Sequence, residues 1–145
     1  MRKVSLSAVC EAFTVKAPKQ GKKSAVVVKW WVVDADPSRL AALCSMPKEA
    51  EAAMKQCGSA GGKMILPCRA DLYTIAMRCE DAAHEVHGAT LREVSMDCTG
   101  TGFVIMLSCE HPDKRSDIDF YYDGRGLRTE LAISPAQGTL PGAEE

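Results

Sequence analysis

Three histidines and one cysteine in the second half of the chain are residue types that bind metal ions. Thiolate and imidazole are the ligands that zinc prefers, and two histidines three residues apart converge on one helical turn. His84-Glu-Val-His87 has that spacing, Cys79 precedes it, and His111 follows in a predicted loop. The motif is one residue shorter than the His-Glu-x-x-His of zinc peptidases, so its general-base geometry is not reproduced. We expect no metal and keep the four residues as candidates against the alternative of a polar turn whose histidines face water.

A second group consists of the aspartates Asp117, Asp119 and Asp123. On a predicted strand over residues 118–122 the first two would share one face, and clustered carboxylates of this kind hold the cations of two-metal hydrolases. His111-Pro-Asp also matches the opening of a metal-nuclease signature, but the acidic-x-Lys continuation is missing. Aspartates on the wet face of an edge strand explain the spacing more simply. The sequence therefore predicts neither catalytic residues nor a cofactor, and a metal-dependent hydrolase is the least favoured function.

The first thirty residues carry an excess of positive charge, and the rest of the chain carries an excess of negative charge. They hold seven basic residues and one acidic residue, whereas the remaining 115 hold eleven basic and eighteen acidic residues. An asymmetry of this kind is typical of proteins with a polyanionic or acidic partner, although the basic segment could also neutralise the acidic half within the fold.

The basic segment is predicted to form a β-hairpin whose tip is rich in lysine. Strands over residues 4–16 and 25–33 flank the turn sequence Pro18-Lys-Gln-Gly-Lys-Lys-Ser24, and the first strand changes face near Val9, which indicates a bulge. Lysines can displace counterions from phosphates, and tryptophans can stack on unpaired bases. The candidate binding residues are Lys16, Lys19, Lys22, Lys23, Lys29, Trp30 and Trp31.

The rest of the chain predicts helices followed by a run of strands. Asp36-Pro37 is a helix-start signal, and a broken helical pair is expected over residues 37–57. After the glycines at 58–62 the periodicity changes to short β-rich runs separated by turn signals such as Thr99-Gly-Thr-Gly102. Strands are predicted over residues 64–67, 72–79, 90–97, 103–109, 118–122 and 128–133.

These elements predict an α+β fold, in which an antiparallel sheet (N-terminal hairpin plus C-terminal meander) carries one or two short helices packed on one face. A single domain over residues 1–133 and a flexible C-terminal tail over 134–145 are expected. No apolar run is long enough to span a membrane, and seven scattered cysteines without a Cys-x-x-Cys favour reduced thiols in the cytoplasm.

The functional expectation is a small non-enzymatic binding or regulatory protein. It would act on another protein or by self-association as a dimer, with the basic hairpin contributing electrostatics and no membrane involved. Single-stranded nucleic-acid binding is the alternative, because the lysines and tryptophans of the hairpin suit it.

Overall fold

Seven strands and three helices make up the part of the chain that the computed structural model describes, residues 3–17, 24–33, 36–98 and 104–136. In chain order they are β1 (Val4–Lys16), β2 (Ala25–Val32), α1 (Pro37–Ala41), α2 (Pro47–Ala60), β3 (Lys63–Pro67), β4 (Tyr73–Cys79), β5 (Ala82–Asp97), β6 (Val104–Pro112), α3 (Arg115–Gly124) and β7 (Arg128–Pro135). The lysines of the predicted hairpin tip, Thr99-Gly-Thr-Gly102 and residues 137–145 of the predicted tail lie outside the described residues.

The predicted N-terminal hairpin is confirmed, because β1 and β2 pair antiparallel from Ala8↔Val32 to Lys16↔Ala25. The register shifts between Cys10 and Ala12, which places the β-bulge slightly later than Val9. Side chains of β2 alternate: Val28 and Trp30 are buried, whereas Lys29 and Trp31 are exposed. This period of two is what a strand with one face on a core produces.

The fold is a closed six-stranded antiparallel barrel with β3 as an additional strand, so the predicted α+β class with an open sheet is wrong. The strand order is β3-β5-β4-β7-β1-β2-β6, and a further pairing of β5 with β6 joins the two ends. Closure depends on β5, whose N-terminal half pairs with β4 and whose C-terminal half pairs with both β3 and β6. The sequence analysis began this strand only at Thr90 and so missed the half that pairs with β4.

The helices are few and short. Asp36 caps α1, where its Oδ1 accepts a hydrogen bond from the Ser38 backbone N–H at 3.0 Å, and Pro37 occupies the first turn. The predicted helical pair over residues 37–57 thus forms as α1 and α2. A strand was predicted over residues 118–122, and this is wrong: that segment belongs to α3, which packs against β1 and β5.

The interior of the barrel is filled by alternating apolar side chains from all six strands, and its largest fully buried residues include Trp30, Tyr73 and Tyr121. β7 continues through Pro135, where Ser134 and Pro135 pair with β4, beyond the predicted domain limit of residue 133. Within the described ranges, no helix combines the length and apolar character needed to cross a membrane.

Tyr73 offers a test of this interior, because its hydroxyl is buried and makes no hydrogen bond to any described residue. A buried hydroxyl without a partner costs about 1–3 kcal/mol of desolvation. Tyr73→Phe should therefore leave the free energy of unfolding unchanged or raise it by about 1 kcal/mol, as measured by urea denaturation. The matched control is Tyr121→Phe, which removes a hydroxyl that is hydrogen-bonded to His111 and should lower stability. A loss for Tyr73→Phe as large as for Tyr121→Phe would contradict the assignment.

Candidate functional site

The structure separates the residues that the sequence analysis grouped at the basic hairpin. Trp30 is 1% exposed and belongs to the core, whereas Trp31 is 45% exposed on the outside of the barrel. Lys16 makes an ion pair with Glu110 on β6 at 3.4 Å. Lys29 is exposed beside Trp31 on the same side of β2 and has no ion-pair partner among the described residues. Lys19, Lys22 and Lys23 are outside the described part of the chain.

Trp31 is one end of a row of four outward-facing side chains that crosses four strands, and we call the surface around this row the outer face. Trp31 is opposite Met106 on β6, Met106 is opposite Ser95 on β5, and Ser95 is opposite Ile65 on β3. All four side chains point away from the core, and Ile65 is 66% exposed. Val104, also exposed, lies beside the row on β6. Trp31, Ile65 and Val104 are exposed, whereas Met106 and Ser95 between them are half-buried. Exposed apolar side chains that lie near one another mark interaction surfaces.

A groove of about 690 Å³ runs along the outer face and is lined by both signs of charge. Its charged residues are three cations and three anions, Lys29, Lys63, Arg92, Glu11, Glu93 and Asp97. Some are already paired within the chain: Lys63 is 3.9 Å from Asp97, and Arg92 is 3.8 Å from Glu110. The groove is therefore close to electrically neutral.

A second cluster, which we call the α3 network, consists of His84, His111, Asp117 and Tyr121. Asp117 and Tyr121 project from α3 towards the barrel and are buried. The Asp117 Oδ1 atom contacts His84 Nε2, and Asp117 Oδ2 is 3.6 Å from His111 Nδ1. Tyr121 completes the network, with its hydroxyl 2.6 Å from His111 Nε2. The residues come from β5, β6 and α3, so the network fastens the helix to two strands.

The hydrogen bonds of His111 define its protonation pattern. The backbone oxygen of Pro112 can only accept and lies 2.9 Å from His111 Nδ1, so Nδ1 carries a proton. In the neutral imidazole Nε2 is then the acceptor for the Tyr121 hydroxyl. Burial is the main cause that raises the pKa of this hydroxyl far above its ordinary value, which keeps it a donor at every physiological pH.

His84 is the member of the network nearest to solvent. Its ring stacks on Phe120 with the centroids 5.2 Å apart, and the residue lines a surface depression of about 720 Å³ over Ala76 and Ala132. A histidine oriented by a buried carboxyl group is the arrangement of a general base. In the described part of the chain, no hydrogen bond joins His84 or His111 to a serine or cysteine, so the network has no nucleophile of acyl transfer.

The metal candidates are only partly brought together. His84 and His111 share Asp117, but His87 is exposed on β5, where its ring contacts Thr74 and Glu85. Cys79 is buried at the end of β4 against Gly124 of α3. Across the described residues, no three metal-binding side chains are arranged to hold an ion.

The carboxylate candidates also diverge. Asp117 is buried in the α3 network, whereas Asp119 and Asp123 are exposed on the helix. The sequence analysis did not connect Asp117 with the histidines, because the helical spacing of Asp117 and Tyr121 was interpreted as a strand. The buried positions 117, 121 and 124 have helical spacing, but two of them are an aspartate and a glycine, so they form no apolar stripe in the sequence.

Fold and surface define a class: a closed antiparallel barrel whose outer face combines exposed apolar side chains with balanced charges, and a helix fastened by a buried polar network. No protein-family model matches the chain, and neither a curated protein nor a solved structure shows significant similarity to it.

Proposed function

We propose that this protein is a non-enzymatic binding protein that self-associates through its outer face, with a second copy of the chain as the partner. The observation that supports this proposal is the row from Trp31 to Ile65, in which three of the four outward-facing side chains are apolar and whose backbone is held in strands. Because the strand backbone is already ordered, only side-chain rotamers must be fixed on binding, and tryptophan is one of the residue types enriched among energetically dominant contacts.

The charge pattern supports a second copy as the occupant. In a two-fold symmetric contact the same patch lies on both sides, so a patch of one sign would repel itself. The groove instead carries equal numbers of cations and anions beside the row, and Lys29 has no ion-pair partner within the described chain. Lys29 lies in the same groove as Glu11 and Glu93, so two copies of this surface offer charges of opposite sign to each other. Complementary charges at the rim would fix the orientation of the pair more than they add to its affinity.

The same balance disfavours nucleic acid, the alternative function, at this surface. A strand of phosphates binds to a surface with more cations than anions, whereas the groove of the outer face carries equal numbers of the two. Two residues on which the nucleic-acid hypothesis depends are also less available: Trp30 is buried, and Lys16 is paired with Glu110.

We propose a cytoplasmic location, which is supported by seven unpaired cysteines, six of them buried.

The test measures the mass of the full chain in solution by sedimentation over a wide dilution series. We expect a dimer for the natural sequence, and Trp31→Glu should raise its dissociation constant by at least about 30-fold, because a charge is buried at the centre of the contact. Ile65→Glu should act in the same direction from the other end of the row. Tyr122→Glu is the matched control, since it adds the same charge at an exposed aromatic residue on α3 and should leave the dimer intact.

A monomer at every concentration would overturn the proposal, as would a dimer that Trp31→Glu and Ile65→Glu leave unchanged. Binding of a labelled single-stranded oligonucleotide is measured in parallel at several salt concentrations. Affinity that falls steeply with salt and is lost in Lys29→Glu would favour the nucleic-acid alternative instead.

A further inference from the structure

Two cysteines that are far apart in sequence meet where α2 and β5 end. Cys57 lies in the last turn of α2, Cys98 directly follows β5, and their sulfur atoms are 3.4 Å apart. All seven cysteines are described, and among the described residues this is the one hydrogen bond between two thiols. The contact is independent of the outer face, so it does not rest on the proposed function.

The local chain path holds the two thiols together. Gly61 and Gly62 have φ angles of 81° and 114°, a conformation that favours glycine, and they turn the chain from α2 into β3. The Cys98 backbone N–H then donates to the Gly62 backbone oxygen at 2.8 Å, and Lys63 pairs with Asp97. The Gly61 backbone N–H donates to the Cys57 backbone oxygen at 2.8 Å, so backbone hydrogen bonds of this turn bring both cysteines to the same place.

Cys98 differs from the other six cysteines in its access to solvent. Cys98 is partly exposed, whereas Cys57 is 8% exposed behind it. Burial raises the pKa of Cys10 and Cys44 to about 11 and that of Cys68 and Cys109 to about 12, so these thiols are protonated and protected. Partial burial, together with the hydrogen bond to Cys57, also raises the pKa of the Cys98 thiol, which slows its reaction at neutral pH without hiding it.

We propose that Cys57 and Cys98 are a redox-active dithiol that forms a reversible disulfide by exchange with a low-molecular-weight disulfide such as oxidised glutathione. An S–S bond of about 2.05 Å requires the sulfurs to approach each other by little more than 1 Å, a shift that side-chain rotation can supply. The bond would tie the end of α2 to the end of β5 and close a loop with a sequence separation of 41 residues.

The exchange occurs in two balanced steps. The Cys98 thiolate attacks one sulfur of oxidised glutathione, which forms a mixed disulfide at Cys98 and releases one glutathione thiolate. The Cys57 thiolate then attacks the Cys98 sulfur, forms the intramolecular bond and releases the second glutathione. Two protein thiols are oxidised, one glutathione disulfide is reduced to two thiols, and the protons of Cys57 and Cys98 pass to the two glutathione molecules.

The experiment treats the reduced full chain with oxidised glutathione, traps the remaining thiols by alkylation and maps the products by mass spectrometry. We expect the loss of two of the seven thiols, a cross-link between Cys57 and Cys98, and no retained glutathione. The initial rate should rise about tenfold from pH 7 to pH 8, since the thiolate fraction of Cys98 rises by that factor below its pKa. The cross-linked protein should unfold at a higher urea concentration than the reduced protein, because the bond restricts the unfolded chain.

Variants separate the two steps. Cys57→Ser should stop at a stable glutathione adduct on Cys98, and Cys79→Ser, which changes a buried cysteine outside the pair, should form the cross-link as the natural sequence does. The proposal is overturned if the natural sequence keeps glutathione on Cys98, if other cysteines are linked instead, or if no thiol is lost. These outcomes are measured on the natural sequence, so they test the proposal even if a serine variant fails to fold.

Discussion

Replacement of Trp30 by alanine is expected to lower the free energy of unfolding by about 3–5 kcal/mol. Trp30 is 1% exposed and lies between Cys10 on β1 and Leu107 on β6, its neighbours in the sheet. Its ring meets Tyr121 edge to face, with the centroids 6.0 Å apart. Truncation removes this aromatic contact and leaves a cavity where β2 and α3 meet, and the surrounding strands cannot collapse into it because they are closed into a barrel.

Trp31→Ala is the matched control, since it changes the next residue of the same strand but points outwards. It should lower stability by less than about 1 kcal/mol, when measured by urea denaturation at a protein concentration low enough to keep the chain monomeric. Trp30→Phe retains an aromatic ring and should lose less stability than Trp30→Ala, which keeps the comparison possible if the alanine variant does not fold. Equal losses at positions 30 and 31 would contradict the assignment of one tryptophan to the core and the other to the outer face.

Strands were the part of the fold most accessible from sequence, because their signal is local. The sequence of β2 alternates between two faces, with Val26, Val28 and Trp30 on one and Lys29 and Trp31 on the other. The alternation alone does not determine which face points into the core. Gly and Pro at the ends of the runs mark the turns. The hairpin and five of the six strands predicted after it therefore followed from residue types over short windows, although the one over 90–97 lacked its first half and the one over 118–122 is a helix.

Closure of the barrel could not be predicted in the same way. It depends on β5 being continuous from Ala82 to Asp97, and its N-terminal half contains Ala83, His84 and Glu85, residues without β-preference. These residues adopt a strand conformation because they pair with β4, and this pairing is a tertiary interaction that the local sequence does not reveal. A register shift between Leu91 and Glu93 lets the same strand bend towards β6.

The α3 network was missed for a related reason. Ile118, Phe120 and Tyr122 alternate as a strand would, and this pattern concealed the helical spacing of Asp117 and Tyr121. His84 and Asp117 are 33 residues apart, so no local motif joins them. The outer face was half predictable: Lys29 and Trp31 were identified from their strand, but Met106 and Ile65 become their neighbours only through the order of the sheet.

Removal of the buried carboxyl group by Asp117→Ala should lower the free energy of unfolding by about 2–4 kcal/mol. The Asp117 side chain is 3% exposed and is the group that joins His84 on β5 to α3. Without it, His84 Nε2 loses its partner beneath the Phe120 ring, and the contact between α3 and β5 keeps only apolar packing. Because the helix also carries Tyr121 into the core, a loosened α3 should expose Trp30 and change its fluorescence before global unfolding.

The control is Asp119→Ala, which removes the same group from an exposed position on the same helix and should change stability by less than about 0.5 kcal/mol. Asp117→Asn keeps an acceptor oxygen for His84 and should lose less than Asp117→Ala. A double-mutant cycle with His84→Ala isolates the pair: if the contact carries the effect, Asp117→Ala should cost much less once His84 is absent. Additive losses, or a loss no larger than that of Asp119→Ala, would mean that apolar packing alone holds α3 on the barrel.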